Sequence, residues 1–163
     1  MKKIIIGIGI PCSGKTTTLK SFAEKNNYVY ICPDDIRLEL TGDAKNQSKN
    51  KEVWDLARER VIINSKENKT SVFDATFTNI SQRKEFISFV RSVGYNFVQG
   101  VFADVDIDLA KERNKKRERV VPEYVIENMH KNLQENIPKA EDGFDTIFTV
   151  DEFQKLTQVQ KME

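Results

Sequence analysis

The segment that most constrains how this chain can fold is GIPCSGKTTT, residues 9–18, which continues the apolar run KIIIGIGI. Gly9, Gly14, Lys15 and Thr16 satisfy the spacing G-x-x-x-x-G-K-[ST]. The glycines allow the backbone to curl so that successive N–H groups point at phosphate oxygens, and a helix that begins near Lys15 adds its positive N-terminal end. Because the segment lies between a predicted buried strand and a predicted helix, we interpret it as a phosphate-binding loop.

The residue types in this loop have separate chemical roles toward a nucleoside triphosphate. Lys15 is expected to reach the β- and γ-phosphates of ATP, and the Thr16 hydroxyl is expected to bind Mg²⁺. Backbone N–H groups of the loop would surround the phosphates. The predicted nucleotide-binding residues of the loop are Gly9, Ile10, Pro11, Cys12, Ser13, Gly14, Lys15, Thr16 and Thr17.

Predicted strands and helices alternate along the chain. Strands are expected at KIIIGIGI, YVYIC, TSVFDA, YNFVQGVFAD and FDTIFTV, the fourth with a bulge at Gly100. Helices are expected over about 15–25, from 34, over 51–66 and 80–93, from 107, and over 122–133, with a polar loop at 41–50. This alternation predicts an α/β fold with a mainly parallel sheet and helices on both faces. A length of 163 residues suits a single domain, 1–163.

Composition argues against several classes of protein. The net charge of +1 argues against a generally basic nucleic-acid-binding surface, although it allows a local basic groove. The two cysteines, Cys12 and Cys32, lack the spacing of a disulfide scaffold, which favours a reducing compartment. No stretch approaches the roughly 18 apolar residues of a membrane helix. We therefore expect a cytoplasmic protein that needs neither a membrane nor an obligate protein partner.

The segment CPDDIR follows the second predicted strand and carries Asp34, Asp35 and Arg37. It lies at the edge of the sheet where ligands bind in open α/β folds. A carboxylate there could accept the proton of an attacking hydroxyl, and Asp34 and Arg37 share a helix face at a spacing of three. The same residues would also suit a helix cap with a surface ion pair. The residues alone leave both interpretations open.

The segment KERNKKRER, residues 111–119, is strongly basic, with six basic and two acidic residues. Such a run is typical of a solvated helix face. It could also form a lid, over about 111–121, whose arginines neutralise charge on the transferred phosphoryl group. Arg113 and Arg117 are four residues apart and would project from one helix face. The phosphate-binding loop favours the lid, so both arginines are predicted to bind nucleotide.

The chain resembles the kinase domain of phage-type polynucleotide 5′-hydroxyl kinases in the order and spacing of four elements. These are the phosphate-binding loop, PDDIR, FDATFTN, and RNKKR followed by VVPEYV. The similarity extends over about residues 2–133. It implies a P-loop NTPase fold of the nucleoside-kinase-like type with a basic lid. It also implies that Asp34 is the general base and that Arg117 binds the donor phosphates. Arg37 would contact the phosphate beside the acceptor nucleoside, and Asp74 would lie on the acceptor side. The predicted catalytic residues are then Lys15, Asp34 and Arg117.

The chain also departs from the family pattern. Thr16 replaces the expected serine, and Cys12 occupies a loop position where small residues are usual. Some relatives continue into a phosphatase domain that opens with D-x-D-G-T. The segment DVDID lacks the Gly-Thr pair, so we expect no phosphatase activity.

The resemblance implies an ATP-dependent, Mg²⁺-requiring kinase whose substrates are the 5′-hydroxyl ends of DNA or RNA. Three alternatives remain: a kinase for a small molecule, a kinase for a hydroxymethylated base in DNA, and a nucleotide-binding switch without a phosphoryl acceptor. Asp34 argues against the switch, because a switch needs no base for an acceptor. Arg37 and the basic segment favour an anionic acceptor.

Overall fold

Five strands form one sheet in the computed structural model, which describes residues 1–162 and the side chains of residues 1–157. The strands are β1 (Lys3–Ile8), β2 (Val29–Ile31), β3 (Ser71–Asp74), β4 (Phe97–Phe102) and β5 (Thr146–Thr149). Their order across the sheet is β2-β3-β1-β4-β5, and every neighbouring pair is parallel. The predicted α/β fold with a parallel sheet is confirmed.

Helices connect the strands and cover both faces of the sheet. They are α1 (Lys15–Asn26), α2 (Pro33–Thr41), α3 (Asn50–Lys66), α4 (Ile80–Ser92), α5 (Ile107–Lys115), α6 (Glu123–Glu135) and α7 (Val150–Met162). A short 3-10 turn, Ala140–Asp142, precedes β5. Sequence analysis did not predict α7, because its segment is mainly polar. Its Phe153 is buried against Phe22, with 4.7 Å between the ring centroids.

The central strand, β1, explains why the N-terminal run is apolar at nearly every position. Ile4, Ile6 and Ile8 pack on the face covered by α2 to α6, and Ile5 packs on the face covered by α1 and α7. All four isoleucines are buried. A parallel strand that is covered on both faces has no solvent side, so its sequence reads as continuous hydrophobic residues rather than as an alternation.

Gly100 does not form the predicted bulge. It pairs with Ile6 in an unbroken parallel register that runs from Lys3–Phe97 to Ile8–Phe102. A Cβ at this position would lie 3.1 Å from the ring of Phe144. The glycine therefore makes room for an aromatic ring on the sheet and does not interrupt the strand.

The parallel arrangement brings the carboxyl ends of the strands to one edge of the sheet. The loop after β1, the start of α2 after β2, and Asp74 at the end of β3 all lie at this edge. The register pairs Gly7 with Asp74, which places the end of β3 beside the beginning of the loop. Among the helices described, none is long and apolar enough to cross a membrane.

Candidate active site

The segment between β1 and α1 forms a tightly curled loop. The Gly9 N–H donates to the carbonyl of Thr76 at 3.0 Å, which ties the loop to the segment after β3. Cys12 and Gly14 have positive φ angles of 66° and 89°. The backbone thus enters the left-handed region twice before Lys15 opens α1. The result is a concave run of backbone at a helix N-terminus, the geometry that binds anions.

Four side chains lie under this loop and are hereafter the loop floor: Lys15, Thr16, Tyr30 and Asp74. Asp74 is 1% exposed, and its Oδ1 lies 2.7 Å from Lys15 Nζ. Thr16 Oγ1 donates to Asp74 Oδ2 at 2.8 Å. The Tyr30 hydroxyl donates to the same oxygen. One buried carboxylate therefore holds both loop residues that are predicted to bind phosphate and metal.

Burial and charge shift the titration of groups in and beside the loop floor. Burial favours a higher pKa for Asp74, but the charge of Lys15 and the hydrogen bonds from Lys15, Tyr30 and Thr16 hold the pKa below its usual value. Burial and, next, the negative charge of Asp74 raise the pKa of Tyr30. The same two causes raise the pKa of Cys32 to about 11. At neutral pH, therefore, the carboxylate of Asp74 is ionised, while the phenol and the thiol are neutral.

The acidic pair lies at the start of α2, directly after β2. The Asp34 side chain is 61% exposed, whereas the Arg37 side chain is only 7% exposed. Arg37 Nη1 donates to Asp34 Oδ1 at 2.6 Å, and Arg37 Nε donates to Asn50 Oδ1 at 3.2 Å. The ion pair considered from the sequence is present, and it leaves Asp34 exposed.

The basic segment, residues 111–121, lies over the loop and is hereafter the lid. Arg113 Nη1 donates to the carbonyl of Cys12 at 3.2 Å, and Arg117 Nη1 donates to Cys12 Sγ at 3.4 Å. Both predicted lid arginines thus contact one residue of the phosphate-binding loop. This position suits guanidinium groups that would bind donor phosphates.

Two sets of contacts hold the lid in place. Asn114, 3% exposed, donates from Nδ2 to the carbonyl of Val121 at 2.6 Å, and the Val121 N–H donates to Asn114 Oδ1 at 3.0 Å. This amide pair closes the turn between the two residues. Lys111 pairs with Glu127 of α6 at 2.7 Å, on the outer side of α5.

The loop, α2 and the lid line a cavity of about 470 Å³ that is open to solvent, within the range of roughly 300–1,000 Å³ of small-molecule sites. Its lining residues are Ile10, Cys12, Ser13, Gly14, Lys15, Thr16, Thr17, Cys32, Asp34, Asp35, Arg113, Arg117 and Arg119. The cationic side chains come from the loop and the lid, and the two carboxylates come from α2. A phosphate chain under the lid and a hydroxyl beside α2 would occupy different parts of this cavity.

The structure brings most of the predicted site residues to the cavity, with four exceptions. Gly9 and Pro11 belong to the loop but do not line the cavity. Arg37 and Asp74 are buried behind its wall, where protein groups already engage them. In this structure, neither side chain is placed for the direct acceptor contact that the family resemblance implies.

Sequence reasoning missed four residues that shape the site: Tyr30, Cys32, Asn114 and Arg119. Asn114 and Arg119 belong to the basic segment, but the spacing of four residues and the R-N-x-x-R pattern favoured Arg113 and Arg117. The alternation of β2 could have found the other pair, because Tyr30 and Cys32 are two residues apart and share a face of the sheet.

A magnesium ion fits the residues present. Thr16 Oγ1 and the Asp74 carboxylate are oxygen ligands of the kind that Mg²⁺ prefers, and they meet at the base of the loop. Among residues 1–157, no group of three or more His, Cys, Asp or Glu side chains is arranged to hold a metal. Two protein oxygens are enough for the fit, since Mg²⁺ in phosphate sites takes few protein ligands and is bound mainly by phosphate oxygens and water.

The sequence matches the family described as AAA domain (AAA_33) over residues 4–136. A chain of the Pnkp1/Rnl/Hen1 RNA repair complex has a similar fold, with a TM-score of 0.72 and 24% identity over 88% of this chain and 46% of that chain. A gluconokinase from Sinorhizobium meliloti 1021 has a TM-score of 0.60 and 17% identity over 91% and 83% of the two chains. A shikimate kinase from Bacteroides thetaiotaomicron has a TM-score of 0.59 and 19% identity over 98% and 95%. This chain spans less than half the length of the RNA repair chain that it matches.

Proposed function

The chain belongs to the AAA domain family and is a P-loop kinase, and we propose that it transfers the γ-phosphate of ATP to the 5′-hydroxyl of a polynucleotide. The observation that carries this proposal is the shared cavity of Lys15, Asp34 and Arg117. A nucleotide-binding switch would have no use for an exposed carboxylate at the far side of the cavity. A kinase needs one there, to receive the proton of the acceptor.

The proposed reaction assigns one step to each part of the cavity. The Asp34 carboxylate takes the proton of the acceptor hydroxyl while the hydroxyl oxygen bonds to the γ-phosphorus. The bond from the γ-phosphorus to the bridging oxygen breaks, and ADP leaves with that oxygen. Lys15 and Arg117 stabilise the charge on the phosphoryl oxygens.

Asp74 and Arg37 have supporting roles in this proposal. Asp74 holds Lys15 and Thr16 at the base of the loop, so that both are positioned when the triphosphate arrives. Arg37 fixes one oxygen of Asp34 and leaves the other to face the acceptor. A bound Mg²⁺, held by Thr16 and by Asp74 directly or through water, would neutralise charge on the donor phosphates.

A polynucleotide acceptor is supported by the charge of the cavity and by one of the similar structures. Loop and lid cations outnumber the carboxylates of α2 among the lining residues, which suits an acceptor that carries phosphate of its own. The similar chain from an RNA repair complex agrees with this substrate class.

A small-molecule kinase is the second candidate, because a gluconokinase and a shikimate kinase match over most of their own lengths. Transfer from γ-labelled ATP to a panel of acceptors separates the two. The panel holds 5′-hydroxyl DNA, 5′-hydroxyl RNA, nucleosides, duplex DNA with hydroxymethylated bases, gluconate and shikimate. We expect label on the 5′-hydroxyl polynucleotides. Label on a sugar acid, on shikimate or on a modified base alone would refute the proposal.

The role of Asp34 is tested with its neighbour as the matched control. Asp34→Asn should keep ATP binding and lower turnover by about 10² to 10⁴, the usual contribution of a general base. Asp35→Asn changes an adjacent carboxylate that also lines the cavity and should cost much less. If Asp35→Asn is the more damaging change, the base has been assigned to the wrong member of the pair.

The acceptor is tested with two compounds that share a 5′-hydroxyl and differ by one phosphate, a nucleoside and its 3′-monophosphate. The wild type should use the 3′-monophosphate well and the nucleoside poorly. Because Arg37 holds Asp34 and does not line the cavity, Arg37→Ala should weaken use of both compounds alike. A loss of about 1.5–3 kcal/mol confined to the 3′-monophosphate would instead mean that Arg37 reaches that phosphate. A wild type that uses both compounds equally would remove the main chemical support for a polynucleotide acceptor.

A further inference from the structure

Arg119 is a cavity-lining cation that neither the G-x-x-x-x-G-K-[ST] spacing nor the R-N-x-x-R segment includes. It lies at the far end of the lid and lines the same cavity as Lys15, Arg113 and Arg117. Its side chain is half-buried. Among residues 1–157, no acceptor within hydrogen-bond or ion-pair distance of its guanidinium is found.

The other cations around the cavity already have protein partners. Lys15 pairs with Asp74, and Arg113 and Arg117 contact Cys12. A half-buried guanidinium without a partner loses hydrogen bonds to water and gains none from the protein. The arrangement is favourable when an anion in the cavity supplies the missing hydrogen bonds.

Hydrogen bonds close the turn that carries Arg119. Val121, two residues later, is fixed on both its N–H and its carbonyl by the buried amide of Asn114. Residues 115–120 are thus a closed turn whose ends cannot separate while this amide pair persists. The backbone of Arg119 therefore belongs to a closed turn beside the cavity.

We propose that Arg119 is a further phosphate-binding residue of this site. Two phosphates could supply the anion: the β- or γ-phosphate of ATP, or the phosphate adjacent to the acceptor nucleoside. The first source depends only on nucleotide binding, and the second rests on the proposed polynucleotide function. Arg37 is buried behind Asp34, so Arg119 is the more accessible of the two arginines for an acceptor phosphate.

The test compares Arg119→Ala with Lys116→Ala. Lys116 belongs to the same turn, is exposed, and does not line the cavity, so its variant removes an equal charge from the lid. For each protein, one measures the Kd of a fluorescent ATP analogue with Mg²⁺ and the KM values of a nucleoside 3′-monophosphate and of the nucleoside. Melting temperatures confirm that both variants are folded.

We expect Arg119→Ala to raise one of these constants by about 10- to 100-fold, the range of a hydrogen bond between charged groups, and Lys116→Ala to change none by more than about twofold. A higher Kd for the ATP analogue identifies the donor phosphates. A higher KM for the 3′-monophosphate, with that of the nucleoside unchanged, identifies the acceptor phosphate. If none of the three constants differs between the two variants, Arg119 binds no phosphate.

A failure of the proposed function would be visible separately. A wild type that binds the ATP analogue but phosphorylates no nucleotide or polynucleotide refutes the polynucleotide acceptor. The Kd of the ATP analogue is then the only test of the inference about Arg119, and an unchanged Kd in Arg119→Ala overturns that inference.

Discussion

The loop floor and the lid present cations to the same cavity but are stabilised in opposite ways. In the floor, Lys15 is 6% exposed and pairs with a carboxylate that is 1% exposed, at the end of β3. In the lid, Arg113 is exposed and Arg117 half-buried, and both contact the loop through single hydrogen bonds. The floor is therefore part of the core of the fold, and the lid rests on it.

This difference predicts which parts of the site depend on global folding. A buried ion pair cannot lose one partner without leaving an unpaired charge in a low-dielectric region, so changes in the floor should affect stability and function together. Contacts near the surface are weaker, and segments with few buried contacts open locally without unfolding the protein. Changes in the lid should therefore affect nucleotide binding and turnover while the core remains intact.

The largest effect is expected from Lys15→Ala. It removes the cation that is proposed to follow the γ-phosphate, and we expect phosphoryl transfer to fall by more than about 10³-fold. Transfer from γ-labelled ATP measures this loss, with Lys25→Ala in the last turn of α1 as the control. Activity above a few per cent of the wild type would contradict the assignment of the phosphate-binding loop.

Asp74→Asn should produce the largest loss of stability. It leaves the Lys15 ammonium buried without its partner, which typically costs about 3–5 kcal/mol. Urea unfolding measures the loss. The control, Asp55→Asn, removes the acid of an exposed pair with Lys51, and exposed pairs contribute little to stability.

The Asp74 effect also has a predicted pH dependence. The pKa of Asp74 is lowered in the folded protein, so its contribution is fully present above the unfolded value of about 3.9 and is lost as the pH falls through the folded value. The difference in unfolding free energy between the wild type and Asp74→Asn should therefore shrink on acidification below that unfolded value. A difference that stays constant under acid would mean that Asp74 does not contribute as a carboxylate.

Asn114→Ala tests the lid side of the comparison. Loss of the amide pair with Val121 should lower kcat/KM for ATP by about tenfold, the effect of one or two buried hydrogen bonds. If Asn114 acts by positioning Arg117, the double variant with Arg117→Ala should be no worse than Arg117→Ala alone.

The matched control is Asn64→Ala, which removes a buried asparagine that bonds Ser71 far from the cavity. Asn64→Ala should lower the melting temperature and leave the KM for ATP unchanged. Equal changes in kinetics for the two variants would show that general destabilisation, and not the lid, explains the Asn114 result.

The smallest effect is expected from Tyr30→Phe. It removes one of the groups that donate to Asp74 Oδ2 while Thr16 and Lys15 remain, so we expect a loss of about 0.5–1.5 kcal/mol in unfolding free energy. The nearby Tyr28→Phe serves as control. A loss as large as that of Asp74→Asn would show that the phenol, rather than the ammonium, is the main partner of the carboxylate.

The fold was predictable from the sequence because its signals are local. The phosphate-binding loop requires a strand before it and a helix after it, and the β-branched run of β1 indicates a strand covered on both faces. The segment of α7 gives no comparable signal, since one buried phenylalanine among polar residues has no periodicity. That helix depends on the contact of Phe153 with Phe22, which is far away in the chain.

The site was predictable in its residue types but not in its pairings. The motif places Lys15 and Thr16 at the end of the loop, but their shared partner Asp74 lies about sixty residues later and is brought beside them by the register of β1 with β3. For Arg37, the pairing was predictable from the sequence and the burial was not. Its spacing from Asp34 predicted the ion pair, but the burial of its guanidinium depends on the packing of α2 against α3 and on Asn50.

The contacts of both lid arginines with Cys12 have a consequence for the rate at which nucleotide exchanges. Arg113 and Arg117 lie against the backbone and the sulfur of the residue at the centre of the loop. If both arginines bind the donor phosphates as proposed, an entering triphosphate must replace these contacts, and ADP can leave only when the arginines separate from its phosphates. Residence time on the protein is then set by the opening of residues 111–121, so salt that weakens these attractions would accelerate product release even where it slows capture of ATP.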